Sequence, residues 1–231
     1  MLVCAWLVAT ATISASETWQ DALGRMPLGT NPAELNRMNC VTLVLGAFQS
    51  NAVVKALVFM PGATDELYFF RRIHAGLTNA NPSLLDAVVA LTNQTYIRAT
   101  FQPPLLLLHT SEDALQVIAT VKNKSTAARL RRRMVADRLV FNDAGWDAVR
   151  TALAHKMDVG LRPFSDTPES AHFYRHNFAV CGTTEWEILE AIALADRTTF
   201  TVRWWTVNFQ TDRRSGIAPG IKNLAAPYIS G

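Results

Sequence analysis

Short apolar runs alternate along this chain with stretches in which apolar residues recur every three or four positions, the rhythm of strands and amphipathic helices. The most pronounced run is Pro103-Pro104-Leu105-Leu106-Leu107-Leu108-His109. Four leucines with no polar residue among them predict a strand buried on both faces of a sheet, since a face meeting water would show alternation. Thr110 or Ser111 would cap a following helix, and Glu112 and Asp113 would lie in its positive first turn. Strand, tight junction and helix make half of a βαβ unit, and in such sheets ligands gather beyond the carboxyl ends of the strands.

The flanking segments fit the same rhythm. Asn31-Pro32-Ala33-Glu34 opens a helix, with Asn as N-cap and Pro where its missing N–H costs nothing; Met38, Val41, Leu45 and Phe48 then form one apolar face. A β-branched run from Ala52 to Met60 is stopped by Pro61-Gly62. Asp65 and Glu66 start another helix, and Asn81-Pro82 a further one carrying Leu84, Leu85, Val88 and Leu91. From Thr95 to Gln102 the period changes to two, so a half-buried strand is expected. A helical stretch passes through Ala127, Ala128 and Leu130, and Leu139-Val140-Phe141 reads as a strand ended by an Asn142-Asp143 cap. Trp146, Val149, Leu153 and Met157 stripe the next helix, then Val159 and Leu161 alternate up to Pro163. Thr167-Pro168-Glu169 begins a helix that would carry His172 and His176 on one face, and Thr184 with Glu187 makes a capping box for the next. Thr199 to Phe209 is the longest β-prone run.

Three strands between Leu105 and Phe164, separated by helical stretches, predict parallel pairing through right-handed crossovers. The expected fold is α/β: a single three-layer domain over residues 17–210 with a mostly parallel mixed sheet of about five to six strands. Residues 211–231, rich in Gly, Pro, Ala and Ser, read as a flexible C-terminal tail.

Composition sharpens the setting more than the chemistry. With 231 residues, 49% apolar and 18% charged, the chain can bury one sizeable core. Residues 1–16 carry no charge, run apolar and end in Ser14-Ala15-Ser16, which suits a cleaved signal peptide although the positive n-region is missing. The run is too short to span a bilayer, for which about 20 residues are needed. A periplasmic or extracellular location is the expectation. Cys40 and Cys181 would then be free to pair in that compartment, or would stand as small buried hydrophobes. A net charge of +3 is too mild to imply nucleic acid.

The expected edge of the sheet collects Pro61-Gly62, His109 to Asp113, Asn142-Asp143 and Ser165-Asp166, a set capable of acid–base work, although helix capping explains most of it, His109 apart. His172 and His176 have the spacing of a zinc pair, but Phe173 stands where a metalloprotease carries its Glu and no third ligand is near, so no metal is expected. The segment Pro104 to His109 followed by Asp113 resembles the strand and loop that carry the acid of the catalytic triad in α/β-hydrolases. That resemblance implies an acid at Asp113 with His172 or His176 as the later histidine. It departs from the family in Thr110, where Gly is usual, and in the lack of any nucleophile elbow, so membership is not claimed.

One charge block remains: Lys122, Lys124, Arg129, Arg131, Arg132, Arg133 and Arg138 against the single acid Asp137. Arg131, Arg132 and Arg133 are the candidate anion-binding residues, and an anionic envelope lipid or an acidic protein face is the partner they fit. No P-loop, Gly-x-Gly-x-x-Gly, Cys-x-x-Cys or Gly-x-Ser-x-Gly occurs, and no cofactor is expected. The leading expectation is an exported bacterial binding or envelope-associated module. The alternative is a hydrolase with His109, Asp113, His172 and His176 converging at the strand ends.

Overall fold

The leucine run is strand β3, Leu105–His109, and every residue in it is buried. The computed structural model describes residues 17–60, 74–94, 97–109, 119–162, 175–196 and 198–211. Residues 1–16, the helix expected from Asp65, Asp113, His172 and the tail after Thr211 lie outside them.

β3 pairs in parallel with β1, Ala56–Met60, and antiparallel with β2, Arg98–Gln102, across the Pro103-Pro104 turn. On the other side of β1 stands β8, His176–Val180, antiparallel to it, and then β6, Leu139–Ala144, antiparallel to β8. The order is thus β2-β3-β1-β8-β6, and only β1 with β3 is a parallel pair. The α/β class stands, but the mostly parallel single sheet does not. A second sheet has the order β4-β10-β11-β7, formed by β4, Ala119–Val121, β10, Thr198–Val202, β11, Thr206–Thr211, and β7, Gly160–Arg162. The small pair β5, Met134–Val135, and β9, Thr183–Thr184, completes the strands described. β3, β6 and β7, expected to pair, fall in two sheets, and none of them is hydrogen-bonded to another. Apolar content and length say that a strand is buried, but not which neighbour buries it.

Alternate residues of β1 and β3 serve two cores. Leu57, Phe59, Leu106 and Leu108 face α1, Trp19–Gly24, α3, Cys40–Ala47, and α4, Leu84–Gln94. Ala56, Val58, Leu105 and Leu107 face the other core, built on the last helix, Glu185–Asp196. That helix is buried on all sides: Ile188, Leu189, Ala191, Ile192 and Ala193 show no exposed surface, as expected of a helix enclosed between two sheets. Its Trp186 packs edge-on against Phe200 of β10 with ring centroids 5.2 Å apart. The Thr184/Glu187 capping box forms as read, each backbone N–H bonded to the other's side chain at 2.7 and 3.2 Å.

Three local expectations are corrected. The helix opened by Asn31-Pro32 stops after one turn, α2, Pro32–Leu35, and α3 starts afresh at Cys40. Asn36 leaves the helix to exchange two hydrogen bonds with the backbone of Leu77, and Asn39 caps α3 by accepting from Thr42 N at 2.7 Å. The cap of α4 is Ser83 with Asp86, two residues after Asn81, because Pro82 lends its carbonyl to Leu28 N instead. Asn142-Asp143 is not a cap either. It lies within β6, where Asp143 takes φ 54° at a one-residue bulge, and Gly145 is the N-cap of the helix Trp146–Ala154. In chain order α5 is Lys124–Leu130, α6 is Trp146–Ala154 and α7 is Glu185–Asp196.

Among the described residues Cys40, in the first core, and Cys181, just after β8, are free thiols. Burial pushes the Cys40 thiol up to about 12, so it carries no reactive thiolate near neutral pH.

Candidate functional site

β1, β3 and β6 run one way and β2 and β8 the other, so Arg98, His109, Met60, His176 and Ala144 all end on one edge of the five-stranded sheet. The pairing Met60↔His109 is direct, and extending the β1–β8 register by two residues sets His176 opposite Met60. Residues in one row share a face, so both imidazoles project toward the core of α7. His109 and His176 thus lie at one end of the sheet, the second of them supplied by an antiparallel strand. The helix expected to carry His176 is replaced at that residue by strand β8. Two interstrand steps put the two Cα atoms about 10 Å apart with the Met60 side chain between them. Asp113 and His172 lie outside the described residues.

His176 has no exposed surface. Its Nδ1 meets the Ala144 carbonyl at 3.0 Å, brought opposite by the β6 bulge, and its Nε2 meets the Asp196 carboxylate at 2.9 and 3.0 Å. Both neighbours accept only, so the geometry is fully satisfied when both ring nitrogens donate, that is, by the imidazolium. Burial pulls the His176 pKa down, but the Asp196 charge, its hydrogen bond and the Ala144 carbonyl together carry it above the ordinary value. Asp196 is the last residue of α7, where the negative helix end disfavours an acid, and the imidazolium offsets that cost. With both nitrogens donating inside the protein, His176 has none left to take a proton from a substrate. It fastens the end of α7 to the β6–β8 edge. His109 is 4% exposed, and its Nε2 contacts Thr100 Oγ1 on β2 at 2.8 Å.

The basic block is divided by its partners. Arg133 is bonded to Asp158, and its Nε lies 3.1 Å from Glu185 Oε1. That bond holds the Asp158 carboxyl below its ordinary range, while burial raises the pKa of Glu185 in spite of the Arg133 charge beside it. Arg129 shares Asp158 at 3.4 Å, and Lys156 neutralises Asp137. Arg138 donates to the carbonyls of Phe48, Leu45 and Gly46 at 2.8, 3.1 and 2.6 Å, closing the C-terminus of α3. The Arg131 guanidinium lies 3.9 Å from the centroid of the Trp186 ring, a cation–π contact that keeps its charge. Among the described residues, Lys122, Lys124, Arg131 and Arg132 make no ion pair and all four are exposed. Of the three arginines expected to bind anions, Arg131 and Arg132 hold available charge and Arg133 is committed to structure.

A concavity of about 420 Å³ opens beside α3, lined by Leu28, Leu35, Met38, Leu43 and Arg138. Its one cation is spent on the α3 carbonyls. Among the described residues no three His, Cys, Asp or Glu side chains are grouped to hold a metal, and no helix is long and apolar enough to cross a membrane. Comparison with protein-family models, with curated proteins and with solved structures returned no match.

Proposed function

We propose that residues 17–210 act as one binding domain of a bacterial cell envelope, docking on an anionic, phosphate-bearing lipid surface through the cations just before α5, on it and in its exit turn. The observation that carries this reading is the division of the block: Lys122, Lys124, Arg131 and Arg132 stay exposed with no ion pair among the described residues, while Asp137 and Asp158 are already paired. Surface charges of this kind attract a negative membrane, each worth about 1 kcal/mol near the surface. The hydrolase reading asks for a basic imidazole at the strand ends, a role that His176, bonded at both ring nitrogens, does not fill.

Vesicle sedimentation is the test. Wild-type protein should bind phosphatidylcholine vesicles that contain phosphatidylglycerol and ignore those that do not, and added salt should release it. Changing Lys122, Lys124 and Arg132 together to Gln should weaken binding on the order of a hundredfold, from about 1 kcal/mol per cation. Binding unaffected by both salt and these changes would rule the reading out.

We further propose that residues 1–16 direct export and are then removed, a reading supported by their uncharged apolar run and the small residues Ser14-Ala15-Ser16. Mass spectrometry of protein from its native host should find it starting near Ser16 or Glu17. Soluble cytoplasmic protein with Met1 intact would count against export.

A further inference from the structure

We propose that the turn between β10 and β11, Arg203-Trp204-Trp205, is an interfacial anchor that seats its two indoles in the headgroup region of the anionic lipid surface. The inference rests on the reading above and assigns the apolar part of the same contact. Trp204 and Trp205 are each 69% exposed, more than any other large apolar residue described. They stand side by side at a turn, where the alternation that buries Phe200, Val202, Val207 and Phe209 is interrupted. Isolated apolar side chains on a surface need no explanation, but two adjacent tryptophans in solvent present an unusually large apolar area.

The turn is held rigidly from three sides. Arg203 N donates to Thr206 O at 2.9 Å, Thr126 Oγ1 of α5 donates to Trp204 O at 3.0 Å, and Gly160 N of β7 donates to Trp205 O at 2.8 Å. The backbone that presents the rings is thus already ordered, and a partner need not offset the entropy of ordering a loop.

Charge selects the partner. Lys122, whose backbone N–H donates to Val202 O at 2.9 Å, and Arg203 flank the pair, both exposed and without an ion pair among the described residues. The Arg129 guanidinium lies 5.7 Å from the Trp205 ring centroid. The acid closest in this network, Asp158, is engaged by Arg129 and Arg133. Indoles ringed by cations match a lipid headgroup layer, where the ring lies at the boundary with the acyl chains and phosphates meet the cations. Single-stranded nucleic acid also takes stacked aromatics and cations, but within a groove that tracks its backbone, whereas these rings crown a turn.

The test uses the full chain with Trp204→Ala and Trp205→Ala combined, a change that should leave the melting temperature within a degree or two of wild type because both rings are exposed. Removing the pair should weaken binding to phosphatidylglycerol-containing vesicles about tenfold or more, from the apolar area two indoles withdraw from water. Brominated lipid should quench tryptophan emission of the wild type, and that quenching should largely vanish in the double variant. If charge neutralisation at Lys122, Lys124 and Arg132 releases the protein while the tryptophan variant binds and is quenched as wild type, this inference fails and the electrostatic reading stands. If wild-type protein does not bind these vesicles, both fall. Loss of oligothymidine binding in the tryptophan variant, with vesicle binding unchanged, would transfer the surface to single-stranded nucleic acid and overturn the lipid assignment.

Discussion

Phe178→Ala should lower the free energy of unfolding by about 3–5 kcal/mol, the range for truncating a large aromatic in a core that cannot collapse around the gap. Phe178 has no exposed surface, lies in one row with Val58 and Phe141, and stacks on Phe141 with ring centroids 4.7 Å apart. Its strand is the one that joins β6 to the β1–β3 pair, so the cavity would open between the sheet and α7, where Ile188, Leu189 and Ile192 are enclosed on every side. At a sensitivity of roughly 2–4 °C per kcal/mol for a chain of this size, the melting temperature should fall by about 10 °C. Val140→Ala, one position before Phe141 on the neighbouring β6 at a residue 37% exposed, should change stability by no more than about 0.5 kcal/mol. Urea denaturation with unchanged slope would read both. A loss below about 1 kcal/mol at Phe178 would remove β8 from the centre of this sheet.

The elements that were legible in the sequence are those decided within a few residues. The four leucines of β3, the Thr184/Glu187 box and the Trp146, Val149, Leu153 stripe of α6 all stand where local pattern put them. Pairing was not legible. The strand β8 begins at His176, inside a stretch whose start, Thr167-Pro168-Glu169, carries strong helix signals, and His-Asn-Phe-Ala-Val is too short for its period to contradict them. Once β8 lies antiparallel beside β1, the mostly parallel order is lost, and the chain emerges at the opposite end of the sheet to start α7. Asn36 and Asn39 show a second limit, since a side chain that bonds distant or local backbone can end a helix whose apolar spacing continues unbroken.

At the site the residue types were legible and their engagements were not. A row of arginines looks uniform in sequence, yet Arg138 closes α3 from more than ninety residues away and Arg133 reaches both Asp158 and Glu185, contacts that only the tertiary fold creates. Trp204 and Trp205 were hidden inside the longest β-prone run. The signal was available: Arg203-Trp204-Trp205 breaks the alternation of Phe200, Val202, Val207 and Phe209, and a break in the middle of so long a run marks a hairpin turn.

Asp196→Ala should cost about 3–5 kcal/mol near pH 6, because it leaves a buried imidazole with no acceptor for its Nε2 proton and no countercharge. The pH dependence has a definite sign. The folded-state pKa of His176 lies above its ordinary value of 6.5, so the pair's contribution is fully present below about that pH and fades as the pH rises through the folded-state pKa. Wild type should therefore lose stability, relative to the alanine variant, as the pH is raised from 6 to 9. Replacing both His176 and Asp196 by Leu should cost less than removing Asp196 alone, since apolar side chains impose no desolvation penalty and leave no charge unmatched. Nitrogen-15 spectra of the imidazoles supply a direct reading: near pH 6 both His176 ring nitrogens should carry protons, one held by Ala144 O and one by Asp196. A His176 that titrates below the ordinary value, or an alanine variant whose stability runs parallel to wild type between pH 6 and 9, would return this histidine to the list of basic groups a substrate could use.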